Sequence, residues 1–306
     1  MQNIPLTPSF DNFEEQASKG NLVPVYAELS ADYETPISIF QKICNGKHSF
    51  LLESAESTDR AGRYSFIGSD PRSVIEARGN EITVTEGDKV NKYESETGDP
   101  LKDLELFMAA YQPVQNDNLP VFYGGAVGYL SYDAVKYFEP TIKEPADDDL
   151  SLPDMVFMIT NNVVIFDHRL RKILVVSNIF TDKKNDLEEL YQAAKIQISQ
   201  LIEKLDRTLS FRPLIKGCET SGIKYNSNTS KSDYCEMVEK AKEFIHAGDA
   251  FQIVLSQRLE VNFSGSSIDL YRALRAVNPS PYMFCLNLGE GFSLVGCSPE
   301  VHVRSE

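Results

Sequence analysis

Tryptophan is absent from all 306 residues, although the chain holds 17 phenylalanines and 14 tyrosines. Also missing is any cysteine pair at metal or redox spacing. Cys44, Cys218, Cys235, Cys285 and Cys297 are scattered and odd in number, with no CxxC, which argues against a zinc site and a disulfide framework and fits a reducing cytoplasm. No stretch approaches the roughly 20 apolar residues that span a bilayer, and the N-terminus lacks the basic-then-apolar pattern of a secretory leader, so the sequence reads as neither exported nor membrane-inserted. Positive charge is scarce: 30 Lys and Arg against 45 Asp and Glu leave a formal charge of -15. Such a field repels phosphate backbones and anionic membrane surfaces, which excludes nucleic acid as an expected partner. It also opposes an anionic substrate, unless the site is locally basic or recruits a cation.

Several chemistries lack their signatures. Gly124, Gly125 and Gly128 have neither the GxGxxG order nor a following Lys-Ser or Lys-Thr, so close strand packing is the better reading of GGAVG. His48, His168, His246 and His302 show no metal spacing, and no GxSxG marks a hydrolase nucleophile. Asp147, Asp148 and Asp149 are consecutive and do not interleave like a calcium loop; they read as a solvated loop.

What is present is a globular composition, 42% hydrophobic and 25% charged, in a length that suits about two domains. From Val23 to Lys172, short β-branched and aromatic runs alternate with turn residues, among them VPVYAEL, SFLLES, VFYGGAVGYLSY and VFMITNNVVIFDH. Helical spacing is expected at 36–44, 101–111 and 186–209, and again from a start capped by Asp233 up to Gly248. A strand over 250–260, a short helix over 268–277 and a strand pair joined across GEG follow, and SPEVHVRSE still reads as strand, as in a fragment. Strands without regular intervening helices predict an α+β fold of large, mainly antiparallel sheets flanked by helices. The polar stretch 217–231 predicts a linker between a β-rich region, 1–216, and a second region, 232–306.

Three segments carry candidate chemistry. Alternation along 250–260 puts Phe251, Ile253 and Leu255 on one face and Gln252, Ser256 and Arg258 on the other, a polar face that suits either solvent or a carboxylated ligand. FLLESAE delivers Glu53 and Ser54 to a turn at a buried strand end, or is simply a strand terminus. NPSPYMF either connects a helix to a strand rigidly or offers Tyr282, Met283 and Phe284 as an apolar wall for a planar ligand.

LLESAE, GGAVGYLSYDAVKYFE, the helix leading into GDAFQIVLSQR, NPSPYMF and VGCSPE occur in the order seen in the large subunit, component I, of anthranilate synthases. The chain resembles the N-terminal portion of that family along nearly its whole length. The resemblance implies conversion of chorismate and ammonia to anthranilate and pyruvate, with Mg2+, with ammonia from a glutamine amidotransferase partner, and with feedback inhibition by tryptophan. It implies a tryptophan site at Leu52, Glu53, Ser54, Pro281, Tyr282 and Met283, substrate contact from Arg258, and catalytic roles for Gln252 and Glu300. Related isochorismate synthases look like they carry lysine, a general base for water, where Gln252 stands; glutamine suits a nucleophile delivered ready-made. The magnesium ligands are expected beyond residue 306, with none in this chain, so that residues 232–306 begin a chorismate-binding catalytic domain and the chain alone is inactive. Aminodeoxychorismate synthase is the alternative enzyme, and a non-catalytic tryptophan-binding or partner-docking fragment the alternative of another class. The missing tryptophan suits an enzyme made when tryptophan is scarce.

Overall fold

The computed structural model describes residues 4–44, 46–54, 62–139, 141–142, 148–182, 186–210, 213, 223–289 and 291–305. The chain forms two compact units, Met1–Phe211 with Ser267–Glu306, and Arg212–Ser266.

The larger unit opens with helix α1 (Phe10–Ala17), strand β1 (Leu22–Ser30) and helix α2 (Pro36–Ile43). Thr35 and Ser38 cap α2 reciprocally and Pro36 pre-sets its first turn, while Ile39, Phe40 and Ile43 are buried one turn apart. Five strands follow: β2 (His48–Glu53), β3 (Tyr64–Ser69), β4 (Ser73–Arg78), β5 (Glu81–Glu86) and β6 (Lys89–Glu94). Helix α3 (Pro100–Met108) starts on an Asp99 cap, and β7 (Gly125–Leu130) leads into a 3-10 helix, Tyr132–Tyr137. Then come β8 (Met155–Thr160), β9 (Asn162–Asp167), β10 (Lys172–Phe180) and helix α4 (Leu187–Leu205), whose Asp186 cap accepts from the backbone of Glu188 and Glu189.

In the smaller unit, β11 (Asn226–Ser227) pairs with β12 (Leu259–Glu260), and α5 (Lys231–Ala247) lies between them in sequence. The larger unit resumes with α6 (Ser267–Val277), β13 (Tyr282–Leu288) and β14 (Ser293–Ser298).

Two antiparallel sheets build the larger unit. One runs β1-β10-β9-β3-β2-β13-β14, the other β6-β5-β4-β8-β7. Between them lies a core that includes Phe50, Val127, Val156, Met158, Ile165 and Leu286. The opposite face of the seven-stranded sheet packs on α1, α2, α4 and α6 through Phe13, Ile39, Ile198, Tyr271 and Met283, and α3 covers the outer face of the five-stranded sheet. Strands β9 and β10, sealed on both faces, therefore read as continuous apolar runs. The α+β expectation of large antiparallel sheets with flanking helices is what the chain forms.

Several local expectations are corrected. VFMITNNVVIFDH is two strands in two sheets, because the chain crosses between sheets at Asn161. VFYGGAVGYLSY is strand only over Gly125–Leu130, and α1 was not foreseen, although Phe10, Phe13 and Ala17 lie on one helical face. Helix α5 starts on a Ser230 cap, whose hydroxyl accepts from the Asp233 backbone N–H, rather than on Asp233; it ends at Gly248, where φ is 84°. Residues 250–258 do not form a strand: a ladder needs a neighbour, and β11 offers only two residues, to Leu259 and Glu260. Phe251, on the apolar face of the expected strand, is 94% exposed. Strand character likewise stops at Ser298, and 299–305 pairs with no strand among the described residues.

The compositional boundary at 217–231 falls inside the smaller unit, and its residues 217–222 lie outside the described residues, as do Cys218, Ala55, Glu56 and Asp147. The glycine reading is sharp at one position. A Cβ on Gly128 would stand 1.8 Å from the Val156 carbonyl oxygen on the neighbouring strand, which only glycine avoids.

Candidate functional site

Strand pairing brings two of the three candidate segments together. β2 and β13 are antiparallel neighbours with Met283 opposite Glu53 and Phe284 opposite Leu52, so the end of the LLES segment and the start of the PYMF segment share one end of the sheet. Alternation then separates their side chains. Leu52 and Phe284 pack toward the five-stranded sheet, whereas Met283 packs into the helix-side core and is 1% exposed. Met283 and Phe284 are thus not parts of one wall, as the sequence suggested, because neighbours in a strand face opposite ways.

On the sheet-to-sheet side, Leu52 and Phe284 line an apolar cavity of about 380 Å3 with Phe122, Val127, Tyr129 and Phe157. Aromatic rings on several walls suit a flat apolar group. Tyr282 stands at the strand start, 43% exposed, and Pro281 and Ser54 are half-buried.

The helix side is polar at one point. The Glu53 side chain is 1% exposed, and both its carboxylate oxygens are engaged: the Tyr271 hydroxyl donates to Oε2 at 2.7 Å and Arg275 Nη2 donates to Oε1 at 2.8 Å. A buried carboxylate is tolerable only when so paired. Arg275 is 41% exposed on its outer side, so the ion pair is partly screened by solvent. Burial, and then the Glu53 charge, push the Tyr271 phenol far up, so this residue is a fixed donor. Sequence reasoning missed both partners, although their i, i+4 spacing on α6 places them on one face.

Nearby, the Ser65 hydroxyl and His168 Nε2 are 2.8 Å apart, and the imidazole packs on Phe166. Burial lowers the His168 pKa, opposed by Glu53. The chain turns at 168–171, and His168 is half-buried at its start. Burial would raise the Asp167 carboxyl, but hydrogen bonds from Arg63 and from the backbone of Leu170 and Arg169 outweigh it and hold the group below its usual range.

The catalytic candidates are placed differently. Gln252 is exposed in the smaller unit; there the Arg258 backbone N–H donates to Asn228 Oδ1 at 2.8 Å, and its guanidinium pairs with Glu260 at 3.0 Å. Glu300 belongs to the larger unit, exposed beyond β14, with its carbonyl accepting from the Ser298 hydroxyl. Among the described residues no group of three or more His, Cys, Asp or Glu could hold a metal ion, and no helix is long and apolar enough to cross a membrane.

A two-sheet α+β body with motif segments joined at one sheet end defines a class that comparison makes specific. The family model of the chorismate binding enzymes matches residues 47–306, and the chain belongs to that family. It is similar to anthranilate synthase component 1 of Acetivibrio thermocellus, 36% identical over 303 residues, and to that of Synechocystis sp., 38% identical over 315 residues; each alignment covers 98% of this chain. The chain spans about 60% of the length of these curated relatives. The crystal structure of anthranilate synthase component I from Streptococcus pneumoniae superposes with a TM-score of 0.59 at 26% identity, covering 89% of this chain and 57% of that one.

Proposed function

We propose that the chain is the N-terminal portion of an anthranilate synthase component I, which converts chorismate and ammonia to anthranilate and pyruvate, receives ammonia from a glutamine amidotransferase partner, and is inhibited by tryptophan. In this reading residues 1–216 form the regulatory region, 217–231 the linker and 232–306 the start of the catalytic domain, working in the cytoplasm. Leu52, Glu53, Ser54, Pro281, Tyr282 and Met283 make up the two segments of the tryptophan site, Met283 and Glu53 from the helix-side core behind it. Gln252 and Glu300 belong to the catalytic set, and Arg258 meets a substrate carboxylate.

The observation that supports it most is the pairing of β2 with β13, which joins the two tryptophan-site segments beside an apolar cavity. Within the site, Glu53 acts through where it holds the strand end, since both its oxygens are engaged by α6. The reading carries a magnesium ion that would neutralise a carboxylate of the dianionic substrate. Among the described residues no group of three or more His, Cys, Asp or Glu could hold the ion, so no step is assigned to it. That the chain alone is inactive is part of this reading.

The test is direct. With chorismate, magnesium and ammonium, anthranilate fluorescence should stay at background for the 306-residue chain, while L-tryptophan should bind it saturably, observed through the ligand's indole emission because the chain has none. Turnover by the chain overturns the assignment of magnesium ligands to other residues, and absence of tryptophan binding overturns the regulatory site.

A further inference from the structure

One helix holds both sides of the paired segments. Helix α6 runs directly into 278–281 and so into the start of β13, which makes it the covalent support of the PYM segment. The same helix grips the other segment through space, because Tyr271 and Arg275 take the two oxygens of Glu53 at the end of β2. Its N-terminal end is tied as well: the Ser267 hydroxyl donates to Asn287 Oδ1 at 2.9 Å, and Asn287 Nδ2 donates to the Ser49 hydroxyl at 2.8 Å, so α6, β13 and β2 are stitched at both ends.

Resting on the tryptophan-site reading above, we infer that Tyr271 and Arg275 are positioning residues of that site: by fixing Glu53 they set where the next residue, Ser54, stands relative to Pro281 and Tyr282. Their chemistry differs. Tyr271 is fully buried and a permanent donor, which fixes the depth of the carboxylate. Arg275 reaches in from a partly exposed position and holds the other oxygen at the rim of the core. A ligand bridging the two segments meets a gap whose width α6 decides, and a charge-assisted contact is the directional means of holding it. Neither residue touches the ligand in this account.

The experiment measures L-tryptophan affinity of the chain by indole emission in wild type, Arg275→Gln, Arg275→Lys, Tyr271→Phe and Ile198→Val, each with its melting temperature. Ile198 is buried on α4, so Ile198→Val lowers stability away from this contact. Arg275→Gln is expected to weaken binding by roughly tenfold or more, as expected for loss of a hydrogen bond to a charged group. Arg275→Lys should recover part of the loss, Tyr271→Phe should weaken binding, and Ile198→Val should bind as wild type does. Should wild type bind while Arg275→Gln and Tyr271→Phe bind equally or more tightly, or should Ile198→Val lose as much affinity, the inference is overturned and the site reading stands. If wild type shows no binding, both are overturned together.

Discussion

Glu53 and Met283 are partners across the β2–β13 ladder, and both side chains turn to the helices, whereas Leu52 and Phe284 beside them turn to the second sheet. One strand pair thus presents a tethered polar anchor on one face and an apolar cavity on the other. The two faces make separate demands on the residues at this sheet end, and each can be tested alone.

On the tryptophan-site reading proposed above, replacing Ser54 with Phe should relieve tryptophan inhibition of the longer enzyme with little change in the uninhibited rate, since a large ring at the end of β2 fills the space between the two segments. Inhibition curves for wild type and variant check this. An unchanged inhibitory concentration removes Ser54 from the site.

Gly128→Ala is expected to destabilise the chain by on the order of 1–3 kcal/mol or more, because the neighbour in its way is backbone and cannot swing aside. The contact is the 1.8 Å approach to the Val156 carbonyl. Denaturant midpoints measure the loss, and a variant as stable as wild type shows that β7 and β8 do not pack this closely.

Stability should fall as the solution is acidified from about pH 6.5. Burial holds His48 and His168 below the ordinary histidine value of 6.5, so between the folded and unfolded values the unfolded chain binds more protons. The stabilising contribution is present above 6.5 and is lost as pH falls through the depressed folded values. His168→Gln should flatten the slope of melting temperature against pH over that range; parallel slopes for variant and wild type would falsify the assignment.

Gln252→Lys should leave the stability of the chain nearly unchanged, within about 0.5 kcal/mol, as for other exposed positions. Its side chain is exposed in the smaller unit. In the complete enzyme, the catalytic assignment predicts slower ammonia-dependent anthranilate formation, because a bulky cation obstructs the nucleophile. Chromatography of the products at matched magnesium and ammonium checks it, and unchanged kinetics return Gln252 to a plain surface role.

The sequence by itself determined which stretches are apolar and at what period, and this was enough for the fold class, for helices α2 to α4 and for the ordered motifs of the family. Local cues failed where a partner was needed. Residues 250–258 alternate like a strand yet form none, since alternation describes faces while hydrogen bonding needs a neighbour, and only two residues of β11 are offered. Tertiary structure alone decided that β8 and β9 part into different sheets at Asn161, and that Met283 stands opposite Glu53 in the β2–β13 register. It also chose Tyr271 and Arg275 as partners of Glu53, 218 and 222 positions away. The physical reason is common to all three: a backbone edge or a buried carboxylate accepts any partner of the right chemistry, and which one arrives depends on the packing of the whole chain.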